Sequence, residues 1–485
     1  EKLNIKQMQD LGLKLSAEDI YSVNHSSLKD AIVQFGGGCT ASIVSSQGLI
    51  LTNHHCGLGA IQRLSSLQHD FLNDGFWARS FGEELPAPGV TVSLLIRMEE
   101  VTNKVLEGLD DKMNQIQRGQ IIKLNIEKIE KATVQDTHYE ARVRPFYYGN
   151  QYYLIVTEVF RDVRLVGAPP SGIGKFGGDT DNWMWPRHTG DFSMFRIYAG
   201  KNNDPADYSK DNVPYNPKFF LPISLKGYQK NDFTFVFGYP GTTREYLTSW
   251  GIDLIANEEN PLRISLRQKR LDIMNAAMGK SRMVRIQYAS KANGIANYWK
   301  KMIGESRGIR RMDAVTVKEQ QERVFQAWAE SNPQRKAQYG SLLNAFQSLY
   351  REYLPLDLSA IFISEAGQGI EVVKFTSGFR DLAKLSKNKN NKPGELEKVT
   401  GNLKKSASEF YKNWQAAIDQ EVMGVMLRDM GTKMEQAYLP DIFALIGKSY
   451  KNDFLSYSAM IFSQSLFTDS TRLRRFLGTY KASQV

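Results

Sequence analysis

The sequence predicts an α+β protein, with a β-rich region over residues 1–249 and a large α-helical domain over residues 250–485. Three observations carry this reading. From Phe35 the texture is glycine-rich with short apolar alternation, and after about Ser249 apolar residues recur at helical spacing among Lys, Arg, Gln and Glu. The chain has 485 residues, 42% hydrophobic and 24% charged, which is enough for more than one core. That composition excludes a disordered chain, and two cysteines in this length exclude a small disulfide-stapled module.

In chain order, Ser16 is placed to cap a short helix over Ala17 to Tyr21, with Asp19 at its third position. Cys39 to Asn53 reads as two short strands turned at Ser46 to Gly48, where a glycine takes positive φ without strain. A helical insertion is predicted near 101–135, because Ile116, Ile121, Ile122, Leu124, Ile126 and Ile129 fall at helical spacing. Strand character returns at Tyr152 to Val159, Phe192 to Ile197 and Phe233 to Phe237.

Beyond Ser249, helices are predicted over 263–289, 317–331, 337–351, 376–387, 403–423 and 439–450. Lys387 to Pro393 reads as a solvated turn. Glu365-Ala-Gly-Gln-Gly369 suits a loop or chain reversal after the short apolar stretch 360–363.

Sixty-two Lys and Arg against fifty-two Asp and Glu give +10, but both signs recur along the whole chain. A surplus spread in this way does not make a nucleic-acid groove, so nucleic acid is not an expected partner. No run of about 18 uncharged apolar residues occurs, and no transmembrane segment is expected. Residue 1 is Glu and no signal peptide is visible, so the sequence is expected to start after processing.

Cys39 and Cys56 stand at the two ends of the hairpin, which brings them side by side despite 17 residues between them. A disulfide is expected, with two buried free thiols as the alternative. The disulfide would place the protein in an oxidising compartment. His54 and His55 precede the second cysteine. Read as neighbours on a strand they point to opposite faces, so one is expected to be functional and the other structural.

A base histidine needs an acceptor on its second ring nitrogen. Asp191, at the start of an alternating strand after Gly190, is the first candidate, with Asp179 and Asp181 as rivals. His188, Asp191 and one of the adjacent histidines would suit zinc by ligand type, but the spacing is loose and no His-Glu-x-x-His occurs, so no metal is assigned. No Gly-x-Ser-Gly segment exists in the chain, and Pro170-Ser-Gly-Ile-Gly174 reads as a turn.

The stretch Cys39 to Cys56 resembles the hairpin of chymotrypsin-fold serine peptidases, in which the base histidine directly precedes the second cysteine. That resemblance registers His55 as the base. Longer motifs are more specific: Phe35-Gly-Gly-Gly-Cys-Thr40, Thr52-Asn-His-His-Cys-Gly-Leu-Gly-Ala-Ile-Gln62, Asp74-Gly-Phe-Trp-Ala78, Gly82-Glu-Glu-Leu-Pro86, Lys175-Phe-Gly-Gly-Asp-Thr-Asp-Asn-Trp-Met-Trp-Pro-Arg-His-Thr-Gly-Asp191 and Phe237-Gly-Tyr-Pro-Gly-Thr-Thr-Arg244. Together they resemble the bacterial dipeptidyl-peptidase 7 and 11 family of serine exopeptidases, most closely the dipeptidyl-peptidase 7 branch.

The resemblance implies a chymotrypsin-like double β-barrel with a helical cap domain between its barrels. The second barrel, and with it the nucleophilic serine, would be mostly absent from these 485 residues, which alone should be inactive. It implies release of dipeptides from peptides with a free N-terminus, with an apolar or broad preference at the second residue. An acidic-specific dipeptidyl-peptidase and a catalytically inactive peptide-binding protein are the alternatives. His55 would be the general base and Asp191 its orienter, while Asn182, Trp183 and Asn297 would hold the substrate amine. The family pattern also implies a homodimer, no metal or other cofactor, a periplasmic or surface location, and a missing C-terminal segment that could be a separate chain.

Overall fold

The computed structural model describes residues 4–242, 244, 246–387 and 394–480. They form two compact units, one of Glu1–Phe176 with His188–Thr243 and the other of Gly177–Arg187 with Arg244–Val485.

The first unit is built on one sheet of eleven strands, β1 (Ile32–Phe35), β2 (Cys39–Ile43), β3 (Leu49–Thr52), β4 (Phe76–Trp77), β5 (Leu85–Pro86), β6 (Val92–Glu100), β7 (Glu140–Phe146), β8 (Gln151–Phe160), β9 (Asp162–Ala168), β10 (Ser193–Ala199) and β11 (Val213–Pro214). Their order is β4-β9-β10-β3-β2-β1-β6-β8-β7, with β5 also on β9 and β11 also on β10. Every pairing is antiparallel. Val33, Ile43, Ile50, Phe195 and Ile197 come from its central strands with no exposed surface, and each stabilises the fold by roughly 1.5–3 kcal/mol.

Four helices of this unit bear on the site or on the sequence reading: α1 (Ala17–Ile20), α2 (His54–Leu64), α3 (Gln115–Val134) and α4 (Ser171–Gly174). Ser16 caps α1 in a capping box, its hydroxyl accepting from Asp19 N at 3.2 Å while Asp19 Oδ2 accepts from Ser16 N at 2.8 Å. Asn114 and Gln117 do the same for α3. The inward face of α3 is Ile122, Ile126, Ile129 and Val134, packed on Val101, Val105, Leu154 and Val156. Ile116 and Leu124 share the helical spacing but lie on the solvent side.

The second unit is helical: α5 (Gly178–Asp181), α6 (Asn260–Lys280), α7 (Arg282–Arg311), α8 (Ala314–Glu330), α9 (Leu342–Phe362), α10 (Glu371–Ser377), α11 (Arg380–Lys387), α12 (Glu395–Lys412), α13 (Ala416–Lys433), α14 (Ile442–Tyr450), α15 (Phe454–Gln464) and α16 (Ser470–Thr479), joined by shorter turns. Leu266, Phe362, Val422, Met426, Ile446 and Phe462 are among the residues of its largest core.

Several sequence expectations are corrected. Phe233 to Phe237 forms no strand despite its alternation. Among the described residues it has no strand pairing and no backbone hydrogen bond to a neighbouring chain segment, and Val236 is fully exposed. His54 and His55 do not lie on a strand. The chain leaves β3 at Asn53 and turns straight into α2. The predicted helix over 263–289 is broken at Ser281, whose extended backbone ends α6 and whose hydroxyl caps α7. The run 403–423 is broken between α12 and α13, at residues 413–415. The apolar stretch 360–363 continues α9, and the chain reverses only after Gly367. The turn placed at Lys387 to Pro393 lies outside the described residues from 388 onward.

Candidate active site

Adjacent strands β3 and β10 set the site. Thr52 pairs with Ser193, so the residue after β3 and the residues before β10 emerge together where these two strands end. On one side the chain turns into α2, and on the other Gly190 delivers Asp191. The first turn of α2 carries free backbone N–H groups, which favour a carboxylate there. Asp191 takes that place: Oδ1 accepts the backbone N–H of His55 at 3.0 Å, and Oδ2 lies 2.8 Å from His55 Nδ1. Asn53 adds its Nδ2–H to the Asp191 backbone oxygen at 3.2 Å and to Oδ2 at 3.3 Å. Asp191 is 11% exposed and His55 46% exposed. An imidazole with Nδ1–H held by a carboxylate presents its Nε2 lone pair outward, the form a general base requires.

Cys56, one residue further, is bonded to Cys39 of β2 with a Cα separation of 6.1 Å. The first turn of α2 is thus cross-linked to the strand two places from β10. Gly57 allows the helix to lie against β10, since a Cβ there would stand 2.7 Å from Ser193 Oγ and 2.9 Å from the Phe195 ring. Ser193 Oγ donates to Asn53 O at 2.9 Å, which closes the contact.

His54 is treated differently from its neighbour. It is 1% exposed, and burial holds its pKa below the usual histidine range although Asp191 pulls the other way. Asp181 ends α5 in the other unit, and the Asp179 side chain lies outside the described residues. Ser171 opens the short helix α4 and donates its hydroxyl to Leu72 O at 2.5 Å. Among the described residues, one trio of potential ligand atoms lies close together, that of Cys39, His55 and Cys56, and its two sulfurs are spent in the disulfide. Sequence reasoning missed Asn53 as a partner of Asp191, although an Asn just before a helix start is itself a signal.

A second cluster lies within the helical unit. Asn297, on α7, accepts at Oδ1 from Asn182 Nδ2 at 3.1 Å and from Trp183 Nε1 at 2.9 Å. Asn182 Oδ1 in turn accepts from Arg187 Nη1 at 3.2 Å, a partner the sequence reading did not include. Trp183 has φ +56, unusual for a bulky residue, and its ring remains 56% exposed. The three predicted amine-binding residues therefore meet one another. The Asn297 Oδ1 already receives two N–H donors.

A family model, Peptidase S46, matches residues 1–485. The chain belongs to the Peptidase S46 family. The family read from the sequence motifs is thereby shown. The chain is 45% identical over 476 residues to the Asp/Glu-specific dipeptidyl-peptidase of Flavobacterium psychrophilum, covering 98% of this chain and 66% of the relative. It is 43% identical over 480 residues to dipeptidyl-peptidase 7 of Porphyromonas gingivalis, covering 98% and 65%. The chain thus spans just under two thirds of the length of these two relatives. A crystal structure of Porphyromonas endodontalis DPP11 in complex with the dipeptide Arg-Glu matches with TM-score 0.84 and 34% identity, over 100% of this chain and 69% of that one. The sheet with a large helical region is the architecture that this match shares. Among the described residues no helix is long and apolar enough to cross a membrane.

Proposed function

We propose that the chain is the larger part of a serine exopeptidase that releases dipeptides from the free N-terminus of peptides. The observation that carries this is the 2.8 Å contact between His55 Nδ1 and Asp191 Oδ2 where β3 and β10 end, in a chain of the S46 family. In this reading His55 Nε2 takes the proton of a serine as its oxygen attacks the second peptide carbonyl. The imidazolium then protonates the departing amine, and water admitted with the same base hydrolyses the acyl-enzyme. Asp191 holds the imidazole tautomer and balances its charge.

Asn182, Trp183 and Asn297 form the amine anchor. Trp183 offers its ring face to the ammonium, while Asn297 holds the indole in place. Anchoring the amine two residues from the nucleophile makes the product a dipeptide.

The first unit is read as a chymotrypsin-like barrel. Arg161 alone separates β8 from β9, so the two arms of the strand path are joined by a corner of the chain. The exposed Phe233-Thr-Phe-Val-Phe237 is read as the opening strand of a second barrel, whose partners and nucleophilic serine lie outside these 485 residues. The domain boundary near 249, a homodimer and a periplasmic or surface location belong to the same proposal. The preference at the second residue is read as apolar or broad. An acidic preference is the second reading, favoured by the 45% identical relative named Asp/Glu-specific.

The test is mass-spectrometric detection of dipeptides released from free and N-acetylated peptides, by these 485 residues and by the longer gene product. Release by the longer product only, blocked by acetylation and abolished by His55→Ala, is expected. Persistence of release in His55→Ala would overturn the reading.

A further inference from the structure

Two histidines open α2, and the reading above uses one. The ring of His54 is buried beside the backbone of Pro169, which favours its proton, and among the described residues its Nε2 is buried with no hydrogen-bond partner. It lies flush against Gly174: a Cβ at that glycine would stand 2.4 Å from His54 Cδ2 and 2.8 Å from Nε2. The segment 169–176, which includes α4, is therefore draped over this imidazole from Pro169 to Gly174.

The far side of the same segment holds the residues that lead into Asp191. Gly190 N donates to Ile173 O at 3.0 Å, and Thr189 Oγ1 donates to Phe176 O at 2.8 Å. A Cβ at Gly190 would stand 2.7 Å from Ile173 Cγ2, so this glycine lies directly against the Ile173 side chain. The contacts run from His54 through the 169–176 segment to Gly190, then Asp191, and return to His55. They begin and end on consecutive residues.

We propose that His54 is a positioning residue that, as a neutral imidazole, clamps the 169–176 segment and through Ile173 and Gly190 fixes the Asp191 carboxylate against His55. The proposal rests on the reading of His55 and Asp191 as base and orienter. Neutrality follows from the surroundings. A proton on Nε2 would be a buried cationic donor without an acceptor, which is costly. Burial is the largest influence on this ring. Among the charged groups that act on it, Asp191 favours the proton while His55 and Lys175 oppose it.

The test uses the 485-residue chain and needs no catalysis. Proton NMR detects the strongly hydrogen-bonded Nδ1–H of His55, assigned by its loss in His55→Gln, and measures its exchange with solvent. His54→Asn keeps a polar group beside Pro169 and cannot be protonated, and it should preserve the signal and its exchange rate. His54→Leu keeps bulk but loses the polar contact of the ring with the segment, and exchange should be about tenfold faster, the effect of losing one modest polar interaction. If His54→Leu does not fold, Gly174→Ala, which forces the segment off the ring, should give the same acceleration. Unchanged exchange in His54→Leu, or in Gly174→Ala where it replaces it, would overturn the positioning role. Absence of the His55 signal from the unmodified chain would instead sink the pairing of His55 with Asp191.

Discussion

Asp191 grips His55 at two points, the backbone N–H through one carboxylate oxygen at 3.0 Å and the ring through the other at 2.8 Å. An amide at this position keeps the shape but has one oxygen for two donors. Asp191→Asn in the longer gene product should therefore lower kcat for dipeptide release by about three to four orders of magnitude. Steady-state kinetics read this, and an unaltered melting temperature separates it from a folding defect.

The bond between Cys39 and Cys56 closes a loop of 17 residues. Removing it by Cys39→Ala with Cys56→Ala frees the unfolded chain and should cost about 3 kcal/mol on the loop-entropy account. Urea unfolding should show the midpoint fall. The reduced unmodified chain should behave as the double variant does.

Asn297 joins Asn182 and Trp183 through a single oxygen. Asn297→Ala releases an indole whose backbone stands at positive φ, and the amine anchor loses its order. Turnover of free peptides should fall about 10- to 100-fold, in keeping with the loss of 1.4–2.7 kcal/mol of binding. Labelling by a small acylating serine reagent, which has no amine to anchor, should be unaffected. Equal losses in both assays would remove the anchor role.

Asp419 on α13 caps the start of α10, accepting from Glu371 N at 2.8 Å, Val372 N at 2.7 Å and Trp414 Nε1 at 3.0 Å. Burial, with Glu371 nearby, outweighs these donors and pushes its pKa up from 3.8 to about 6. The folded state thus binds this proton more tightly than the unfolded one. Its ionisation opposes folding above pH 6, and the penalty fades as pH falls from about 6 to about 4. A rise of about two pKa units corresponds to about 3 kcal/mol. The stability difference between the unmodified chain and Asp419→Asn, followed by urea unfolding from pH 4 to 8, should change in that window and be flat above it.

The hairpin of β2 and β3 was legible because alternation and Gly48 are local signals that nothing distant overrides. The meeting of His55 with Asp191, 136 residues apart, was legible from the place of Asp191 at the start of an alternating strand together with motif resemblance. Two adjacent histidines after an alternating strand carry no mark of the helix they begin, and Asn53 was the available cue. Phe233 to Phe237 shows the opposite failure. Its pattern is that of a strand, but a strand exists only where a neighbour completes its hydrogen bonds. Breaks such as Ser281 escaped because one extended residue between two helices leaves the apolar period on either side intact. Arg187 was missed because its importance lies in reaching Asn182, which spacing does not encode.

Three consecutive residues at the head of α2 are each held elsewhere, His54 against the segment at Gly174, His55 by Asp191 and Cys56 by Cys39. A helix advances about 100° per residue. Adding or deleting a single amino acid in this turn would swing all three side chains away from their attachments at once. Evolution or engineering can exchange letters in this stretch but cannot alter its count, which makes the length between Asn53 and Gly57 a stricter constraint than most of its composition.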